Sequence, residues 1–319
     1  MKRRILITGG FGYLGGRVAQ HLQHAGHQTV LGSREAKNLP DWLPQAEVAK
    51  IDWQDERVLE QICAGIDVVI HAAGLNAQDC ESEPVAALEF NGLATARLVA
   101  SASHAGVKRF IYLSTAHVYA SPLIGTITEE TCPRNLHSYA TSHLAGENTV
   151  LFARQRGEIE GIVLRLSNAF GAPAHKDVNT WMLLVNDLCR QAVQTRKLVL
   201  RSSGLQQRNF LTLADAGRAI EHLLALSKSD CGNGLFNLGE NKALSVWDMV
   251  QKISHRCQLT LGYQPAIERP APRPDELVNS LNYCSEKLQK TGFCLLGNLD
   301  DEIDRTLLVC AQIWKHNEA

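Results

Sequence analysis

The amino-terminal stretch of this chain reads Met1-Lys-Arg-Arg-Ile-Leu-Ile-Thr-Gly-Gly-Phe-Gly-Tyr-Leu-Gly-Gly16. The apolar run from Ile5 to Ile7 has the length of a buried parallel strand, and glycines follow soon after it. Beyond the glycines, Leu14, Val18 and Leu22 recur at intervals of four residues, as apolar residues do on one face of a helix. The stretch therefore predicts a strand, a glycine turn and a helix, which is the setting of a dinucleotide-binding turn.

Three glycines of this turn would have separate tasks in such a site. Gly9 allows a tight turn, Gly12 lets the backbone approach a pyrophosphate, and Gly15 lets the helix lie close to the strand. The free N–H groups and the positive dipole end of the helix then face the phosphates. The alternative is a tight turn between strand and helix that binds no ligand. The other turn residues expected to contact the cofactor are Phe11, Tyr13 and Leu14.

Composition limits the possible classes of function. The chain has 319 residues and a net charge of −1 with both signs mixed, so neither nucleic acid nor a membrane is an expected partner. No apolar run approaches the ~20 residues of a membrane span, and the few apolar residues after Arg4 are too short for a signal peptide. The nine cysteines are scattered without a CxxC pair, which indicates reduced thiols in the cytoplasm and no metal site.

Strand and helix signals alternate over the first half of the chain. Further strands are predicted at His27–Gly32, Val48–Ile51, Asp67–Gly74, Lys108–Thr115 and Ile159–Leu166. Long helices are predicted at Pro84–Ala105 and Ser138–Arg156. This alternation predicts an α/β fold of the Rossmann type, a doubly wound parallel sheet covered by helices on both faces, over residues 1–171.

The alternation is lost in the second half, residues 172–319. Helices are predicted at Thr180–Thr195, Leu213–Leu226, Ser245–Cys257 and Asp300–Trp314, with short strands at Leu198–Leu200 and Leu235–Leu238. The proline-rich segment Gln264–Pro274 is expected to be an ordered loop. We expect a smaller C-terminal α/β lobe that binds substrate and closes over the cofactor, with some of its strands returning to the main sheet.

The end of the second predicted strand indicates the cofactor preference. A site for NAD places an acidic residue there to bind the ribose hydroxyls, whereas this chain has Ser33 and Arg34. Arginine can bind the 2′-phosphate of NADP with two hydrogen bonds, so NADP is favoured over NAD. The alternative is that Arg34 is an ordinary surface residue. After the third strand, Asp52 and Trp53 are placed to flank the adenine, although Asp52 could equally cap a helix.

The chain resembles the extended short-chain dehydrogenase/reductase family, in particular its nucleotide-sugar epimerases and dehydratases. The resemblance runs almost end to end, and it depends on the order and spacing of eight fragments rather than on any one of them. These fragments are Thr8–Gly15, His71–Gly74, Asn91–Thr95, Leu113–Tyr119, Tyr139–His143, Leu164–Gly171, Arg208–Asp215 and Phe236–Gly239.

The resemblance implies a set of catalytic residues. Thr115, with Ser114 beside it, matches the Ser or Thr that hydrogen-bonds a substrate alcohol or carbonyl. Tyr139 matches the catalytic tyrosine, which accepts a proton as phenolate while hydride passes between a substrate carbon and the nicotinamide. The alternative for Tyr139 is an aromatic residue on a helix surface with a hydrated hydroxyl.

The chain departs from the family where His143 replaces the catalytic lysine, four residues after the tyrosine and on the same helix face. The lysine holds the nicotinamide ribose, and its positive charge lowers the pKa of the tyrosine. A histidine can still donate a hydrogen bond to the ribose, but with an ordinary pKa of about 6.5 it is mostly neutral at pH 7. Three interpretations stay open: His143 substitutes for lysine, the reaction is a reduction that needs less basic strength, or the chain binds cofactor without turnover.

Other matches imply binding residues. Those for the cofactor are Ala72, Ala73, Gly74 and Asn91, together with Tyr139 and His143. Those for the substrate are Asn168, Arg208 and Arg273, although each arginine could be an ordinary surface residue. Ala116 stands where dehydratases usually have an acidic residue, so dehydration is the least expected reaction.

The predicted function is hydride transfer by an NAD(P)-dependent oxidoreductase or epimerase acting on a nucleotide-sugar. The alternatives are an NADPH-dependent ketoreductase of another small carbonyl compound, or a catalytically silent NAD(P)-binding sensor or assembly protein. In relatives, helices corresponding to residues 84–105 and 138–156 pair across a four-helix dimer interface, so the resemblance implies a homodimer. Burial within one chain would produce the same apolar pattern.

Overall fold

The computed structural model describes residues 2–314. Its strands are β1 (Arg4–Thr8), β2 (Gln28–Ser33), β3 (Glu47–Lys50), β4 (Val68–His71), β5 (Arg109–Thr115), β6 (Gly125–Ile127), β7 (Glu160–Leu166), β8 (Asn168–Phe170), β9 (Lys197–Val199), β10 (Gln207–Arg208), β11 (Phe210–Thr212), β12 (Leu235–Leu238), β13 (Leu244–Ser245), β14 (Ala266–Glu268) and β15 (Leu281–Tyr283).

The helices pack around these strands. They are α1 (Tyr13–His24), α2 (Glu56–Cys63), α3 (Ala77–Ser82), α4 (Pro84–Ala87), α5 (Thr95–His104), α6 (Ser138–Gln155), α7 (Leu184–Thr195), α8 (Leu213–Ala225), α9 (Val246–Leu261), α10 (Glu286–Gln289) and α11 (Leu299–Trp314). A π-helical turn (Leu88–Ala94) joins α4 to α5, and a 3₁₀ turn (Ala116–Val118) follows β5. No helix in the described range is long and apolar enough to cross a membrane.

Seven parallel strands form the main sheet in the order β12-β7-β5-β4-β1-β2-β3. Every residue of β4 and β5 is buried, because helices cover both faces of the sheet. Strand β1 shows the two layers: Ile5 and Ile7 lie in one core with Leu22 of α1, whereas Leu6 lies in the opposite core with Leu59 of α2. The predicted Rossmann-type α/β fold is therefore confirmed.

The second half of the chain contributes to both parts of the molecule. Helices α7, α9 and α11 enclose a separate core that contains Leu188, Val250 and Leu307. Strand β12 joins the edge of the main sheet beside β7, and α8 packs against α1. The division of the chain between residues 171 and 172 stays a prediction. Strand β12 comes from the second half and pairs with β7 of the main sheet.

Several predicted elements differ from the structure. The single helix predicted at Pro84–Ala105 is divided by the π-helical turn. The predicted proline-rich loop contains a short strand, β14, because it pairs in parallel with β9. Helix α7 begins at Leu184 rather than at Thr180, whose hydroxyl accepts a hydrogen bond from the Asn186 side chain instead.

A buried ion pair joins helix α6 to the sheet. The Glu147 carboxylate on α6 accepts two hydrogen bonds from Arg165 Nε, at 2.9 and 3.1 Å, and one from Arg165 Nη2 at 2.5 Å. The glutamate side chain is fully buried and that of the arginine is 4 % exposed. Ser114 of β5 donates a further hydrogen bond to Glu147 at 2.5 Å. Removing one partner would leave a buried charge uncompensated.

We expect Glu147→Gln to lower the free energy of unfolding by about 3 kcal/mol, because the Arg165 guanidinium would stay buried without its counter-ion. Urea denaturation followed by circular dichroism measures this. The matched control is Glu47→Gln, which removes a largely exposed ion pair with Arg4 and should cost less than ~1 kcal/mol. Equal losses in the two variants would contradict the role of the buried pair.

Candidate active site

A cleft of about 760 Å³ opens at the carboxyl ends of the central strands. The chain leaves β1 toward β2 on one side and returns to β4 on the other, so the strand order reverses beside β1. Ligands of open parallel sheets bind at such a reversal. The cleft is lined by the glycine turn, by the ends of β2, β4 and β5, and by residues of the second half.

The glycine turn has the geometry of a phosphate-binding turn. Gly9 has a φ of +66°, and the N–H of Gly12 donates to its carbonyl at 2.8 Å. A Cβ at Gly15 would overlap the carbonyl of Gly9, so α1 can lie this close to β1 only with glycine there. Within the described residues, no side chain caps α1 at Gly12 and no acidic residue lies in its first turn, which leaves its N–H groups available to an anion.

The aromatic and apolar residues of the turn all line the cleft: Phe11, Tyr13 and Leu14. The Tyr13 hydroxyl lies 2.8 Å from the carbonyl oxygen of Gly171 and 3.3 Å from Oδ1 of Asn186 in α7, so this side chain also connects the turn to the second half.

Two cations stand at the end of β2. Arg34 lies over Phe90, with 5.5 Å between its guanidinium carbon and the ring centre, and Lys37 lies over Phe11 at 4.9 Å. Both cations line the cleft, as does Ser33. The sequence analysis missed Lys37 and Phe90, which no strand-end rule singles out.

Asp52 and Trp53 separate in the structure. Trp53 lines the cleft, and its buried Nε1 has no hydrogen-bond partner among the described residues. Asp52 is exposed, is not among the residues that line the cleft, and accepts a hydrogen bond from the Gln54 N–H at 3.0 Å. It therefore shapes a turn, and the cap of α2 is Asp55.

The segment after β4 forms the floor of the cleft. Ala72, Ala73 and Gly74 all line it. Asn91, in the π-helical turn, accepts a hydrogen bond from the Leu75 N–H at 2.8 Å and donates to the Ser142 hydroxyl at 3.0 Å. It thereby joins this segment to α6, and, unlike Ala72, Ala73 and Gly74, which are also predicted to bind the cofactor, it does not line the cleft itself.

Thr115, Tyr139 and His143 lie together in the cleft. The rings of Tyr139 and His143 are 4.5 Å apart in an edge-to-face arrangement on one side of α6. Burial raises the pKa of Tyr139 to about 12, although an interaction with the Thr115 hydroxyl lowers it in part. Ser114 also lines the cleft, but its hydroxyl donates to Glu147.

His143 carries no charge at neutral pH, because burial lowers its pKa to about 4. The side chain is 6 % exposed. Tyr139 therefore lacks the positive neighbour that a lysine at this position would provide.

The cleft is also lined by a residue that sequence reasoning missed. His117 lines it together with Asn168 and Arg208. Burial lowers the pKa of His117, the charge of Arg208 lowers it further, and a hydrogen bond with Asn168 raises it. The sequence could have indicated His117 by its position two residues after Thr115. Arg273 is exposed on the loop before β15 and is not among the residues that line the cleft, so the structure does not bring it to the other predicted residues.

Comparisons with known proteins agree with this geometry. The sequence model of the NAD dependent epimerase/dehydratase family matches residues 5–239. The chain is 28% identical to a UDP-glucose 4-epimerase of Halalkalibacterium halodurans over 303 residues, which is 89% of this chain and 88% of that protein. It is 27% identical to the dTDP-D-glucose 4,6-dehydratase of Mus musculus over 265 residues, 79% and 72% of the two chains.

A solved structure shares the fold. The UDP-glucuronic acid 4-epimerase from Bacillus cereus, in complex with NAD, superposes with a TM-score of 0.78 at 19% identity and covers 99% of both chains. Because the family model spans most of the sequence, the protein belongs to the NAD dependent epimerase/dehydratase family and is an enzyme of that family.

Proposed function

We propose that this protein transfers hydride between a nicotinamide cofactor and a carbon of a nucleotide-sugar, with Tyr139 as the acid/base. The observation that carries the proposal is the convergence of Thr115, Tyr139 and His143 on the cleft that begins at the glycine turn. The family supports a nucleotide-sugar substrate, since relatives are named for UDP-glucose and dTDP-D-glucose.

The cleft fits a dinucleotide in size and in its polar groups. Its volume lies within the range of ligand pockets. The start of α1 offers N–H groups to a pyrophosphate, and Gly74 leaves the floor open next to His143. When bound, the nicotinamide would supply the hydride acceptor or donor.

The residues of the chain would manage the proton. The Thr115 hydroxyl accepts a hydrogen bond from the His117 N–H at 3.1 Å and also interacts with Tyr139, so the two hydroxyls can contact the same substrate oxygen. Because the pKa of Tyr139 is about 12, its phenol is protonated at neutral pH. A protonated phenol can give its proton to the oxygen of a carbonyl that receives hydride, so the free site is set for reduction. Oxidation of an alcohol would need the phenolate.

This protonation state favours a second candidate function, an NADPH-dependent ketoreductase. An epimerase must remove a proton from the substrate before returning it, and neutral His143 gives no electrostatic help with that first step. A catalytically silent cofactor-binding protein is the remaining alternative. Asn168 and Arg208 are proposed to contact the substrate, with the guanidinium toward its diphosphate, whereas Arg273 is left out.

We propose NADP as the preferred cofactor. Ser33, Arg34 and Lys37 stand at the end of β2, where a 2′-phosphate would lie. Asp52 accepts a hydrogen bond from the Gln54 N–H and does not line the cleft, whereas Glu35, next to Arg34, does line it. The Bacillus cereus epimerase was solved in complex with NAD, which argues against a preference for NADP.

We further propose that the enzyme is a cytoplasmic homodimer. Large apolar side chains are exposed on the two helical segments expected to pair: Val85 (71 %), Leu88 (51 %), Leu93 (48 %) and Phe152 (58 %). Phe152 also borders a shallow hollow on α6 with Leu151. The described residues contain no disulfide, which supports a reducing compartment.

Tyr139→Phe is expected to lower kcat at least about 100-fold, because the variant has no group to exchange the proton, while the variant still binds the cofactor. The assay follows NADPH consumption and product formation with a panel of UDP- and dTDP-linked sugars and their 4-keto forms. Tyr263→Phe is the control, since its hydroxyl bonds the Ala192 carbonyl away from the cleft. Wild-type protein that binds cofactor but converts no compound of the panel would favour the silent binder.

Arg34→Ala is expected to weaken NADPH binding about tenfold and to leave NADH binding unchanged, because only the 2′-phosphate needs the guanidinium. Isothermal titration with both cofactors measures the two dissociation constants. Arg57→Ala, at an exposed position of α2 outside the cleft, is the control. Equal losses for NADH and NADPH would contradict the proposed contact.

Phe152→Glu is expected to convert the dimer to monomers, because a charge in the proposed interface would be buried without a partner. Sedimentation velocity at micromolar concentration measures the oligomeric state. Leu277→Glu, which places a charge at an 83 % exposed residue outside both helical segments, should remain a dimer. A monomeric wild type would overturn the dimer proposal.

A further inference from the structure

We propose that Tyr112 is a positioning residue that holds His143 in the tautomer with its proton on Nε2. His143 would then present a neutral, already oriented hydrogen-bond donor to the cofactor where the family uses a charged lysine. This inference rests on the proposed function, because it explains how an uncharged residue at position 143 can still bind the cofactor.

The contact between the two side chains is direct. The Tyr112 hydroxyl lies 2.9 Å from Nδ1 of His143, with the ring centres 5.8 Å apart. Tyr112 is in β5, beneath α6, and is 1 % exposed. A Cβ at residue 146 would lie 2.8 Å from the Tyr112 hydroxyl oxygen, so Gly146 provides the space that the hydroxyl occupies against α6.

The chemistry of the pair sets the direction of this hydrogen bond. His143 is neutral, so one of its ring nitrogens carries a hydrogen and the other is a lone-pair acceptor. Burial keeps the pKa of Tyr112 well above its ordinary value, so its phenol retains its proton. A phenol is a stronger acid than a neutral imidazole N–H, and an imidazole nitrogen is a stronger base than a phenol oxygen. Tyr112 therefore donates to Nδ1, and the hydrogen of His143 is on Nε2.

The other edge of the ring faces the cofactor cleft. A side chain on Gly74 would begin 3.8 Å from Nε2 and from Cε1 of His143. Gly74 and His143 both line the cleft. Nε2 therefore lies beside the space above Gly74, where a cofactor group can reach it, while Nδ1 contacts Tyr112.

Buried hydrogen bonds hold the ring of His71, which stacks on Tyr112. The His71 ring stacks on Tyr112 with 5.5 Å between ring centres. His71 Nδ1 lies 2.6 Å from the Thr8 hydroxyl, and its Nε2 lies 2.9 Å from the Thr95 hydroxyl, which donates to the Asn91 carbonyl at 2.7 Å. Burial lowers the pKa of His71 to about 3, so this ring is neutral as well. The Tyr112 ring is therefore packed between His71 and His143.

The experiment is a double-mutant cycle on cofactor affinity. Tyr112→Phe is made in the wild type and in the His143→Lys variant, and the dissociation constants of NADPH and NADH are measured by isothermal titration. We expect Tyr112→Phe to weaken binding about fivefold to tenfold in the wild type and less than about twofold beside lysine, which needs no partner to orient a tautomer. The control is Tyr119→Phe, another buried tyrosine that loses a 2.8 Å hydrogen bond, here to Asn237.

The outcomes separate positioning from general packing. Equal losses in the two backgrounds, or no loss in either, would overturn the inference. The second measurement is the ¹⁵N NMR spectrum of the wild-type imidazoles, with His143 assigned by comparison with His143→Lys. Hydrogen on Nε2 of His143 supports the inference, and hydrogen on Nδ1 overturns it. This reading does not depend on turnover, so a protein that converts no sugar but shows the Nε2–H tautomer would remove the proposed function alone.

Discussion

The close approach of α1 to the end of β1 is the contact on which the rest of the structure depends. Any side chain at Gly15 would collide with the carbonyl of Gly9, and a Cβ at Gly9 would lie 2.9 Å from the Ala73 N–H on the neighbouring strand end. Glycine at both positions lets the helix begin directly above the sheet. The N–H groups of its first turn then face the cleft, while Leu22 near its other end is buried in the core beside Ile220 of α8. The contact between α1 and the end of β1 thus leaves the ligand site accessible and helps to bury the main core.

The electrostatics of the site differ from what a lysine would produce. The Tyr139 phenol is next to a neutral ring, and burial raises its pKa without a cation to oppose the shift. The site consequently holds a proton rather than a negative charge. The buried carboxylate of Glu147 is paired with Arg165, whereas Arg208 lines the same cleft near His117. Beside Tyr139 itself, the side chain at position 143 is a neutral donor rather than a charge.

The second half of the chain does more than cover the cleft. It supplies β12 to the sheet and packs α8 on α1. It also holds the glycine turn and α1 through Asn186, whose Oδ1 lies 3.3 Å from the Tyr13 hydroxyl, and through the Ala172 carbonyl, which accepts a hydrogen bond from Arg17 at 2.7 Å. His175 also reaches back, with Nε2 3.0 Å from the Phe11 carbonyl, and stacks on Trp42. The two halves of the cleft are therefore held together at the phosphate-binding turn itself.

Local pattern was sufficient for the Rossmann-type core, for the glycine turn and for the placing of Tyr139 and His143 on one face of α6. Apolar periodicity, glycine spacing and the i, i+4 rule act over a few residues, so these features can be predicted from short stretches of sequence. The interruption of the predicted helix at Leu88–Ala94, the strand inside the proline-rich segment and the exclusion of Asp52 and Arg273 from the cleft could not be read in this way. Each depends on which distant segment lies alongside. The partner of His143 is the sharpest case: Tyr112 is an ordinary strand residue in sequence, and only the packing of α6 over β5, with Gly146 leaving room, brings its hydroxyl to the imidazole.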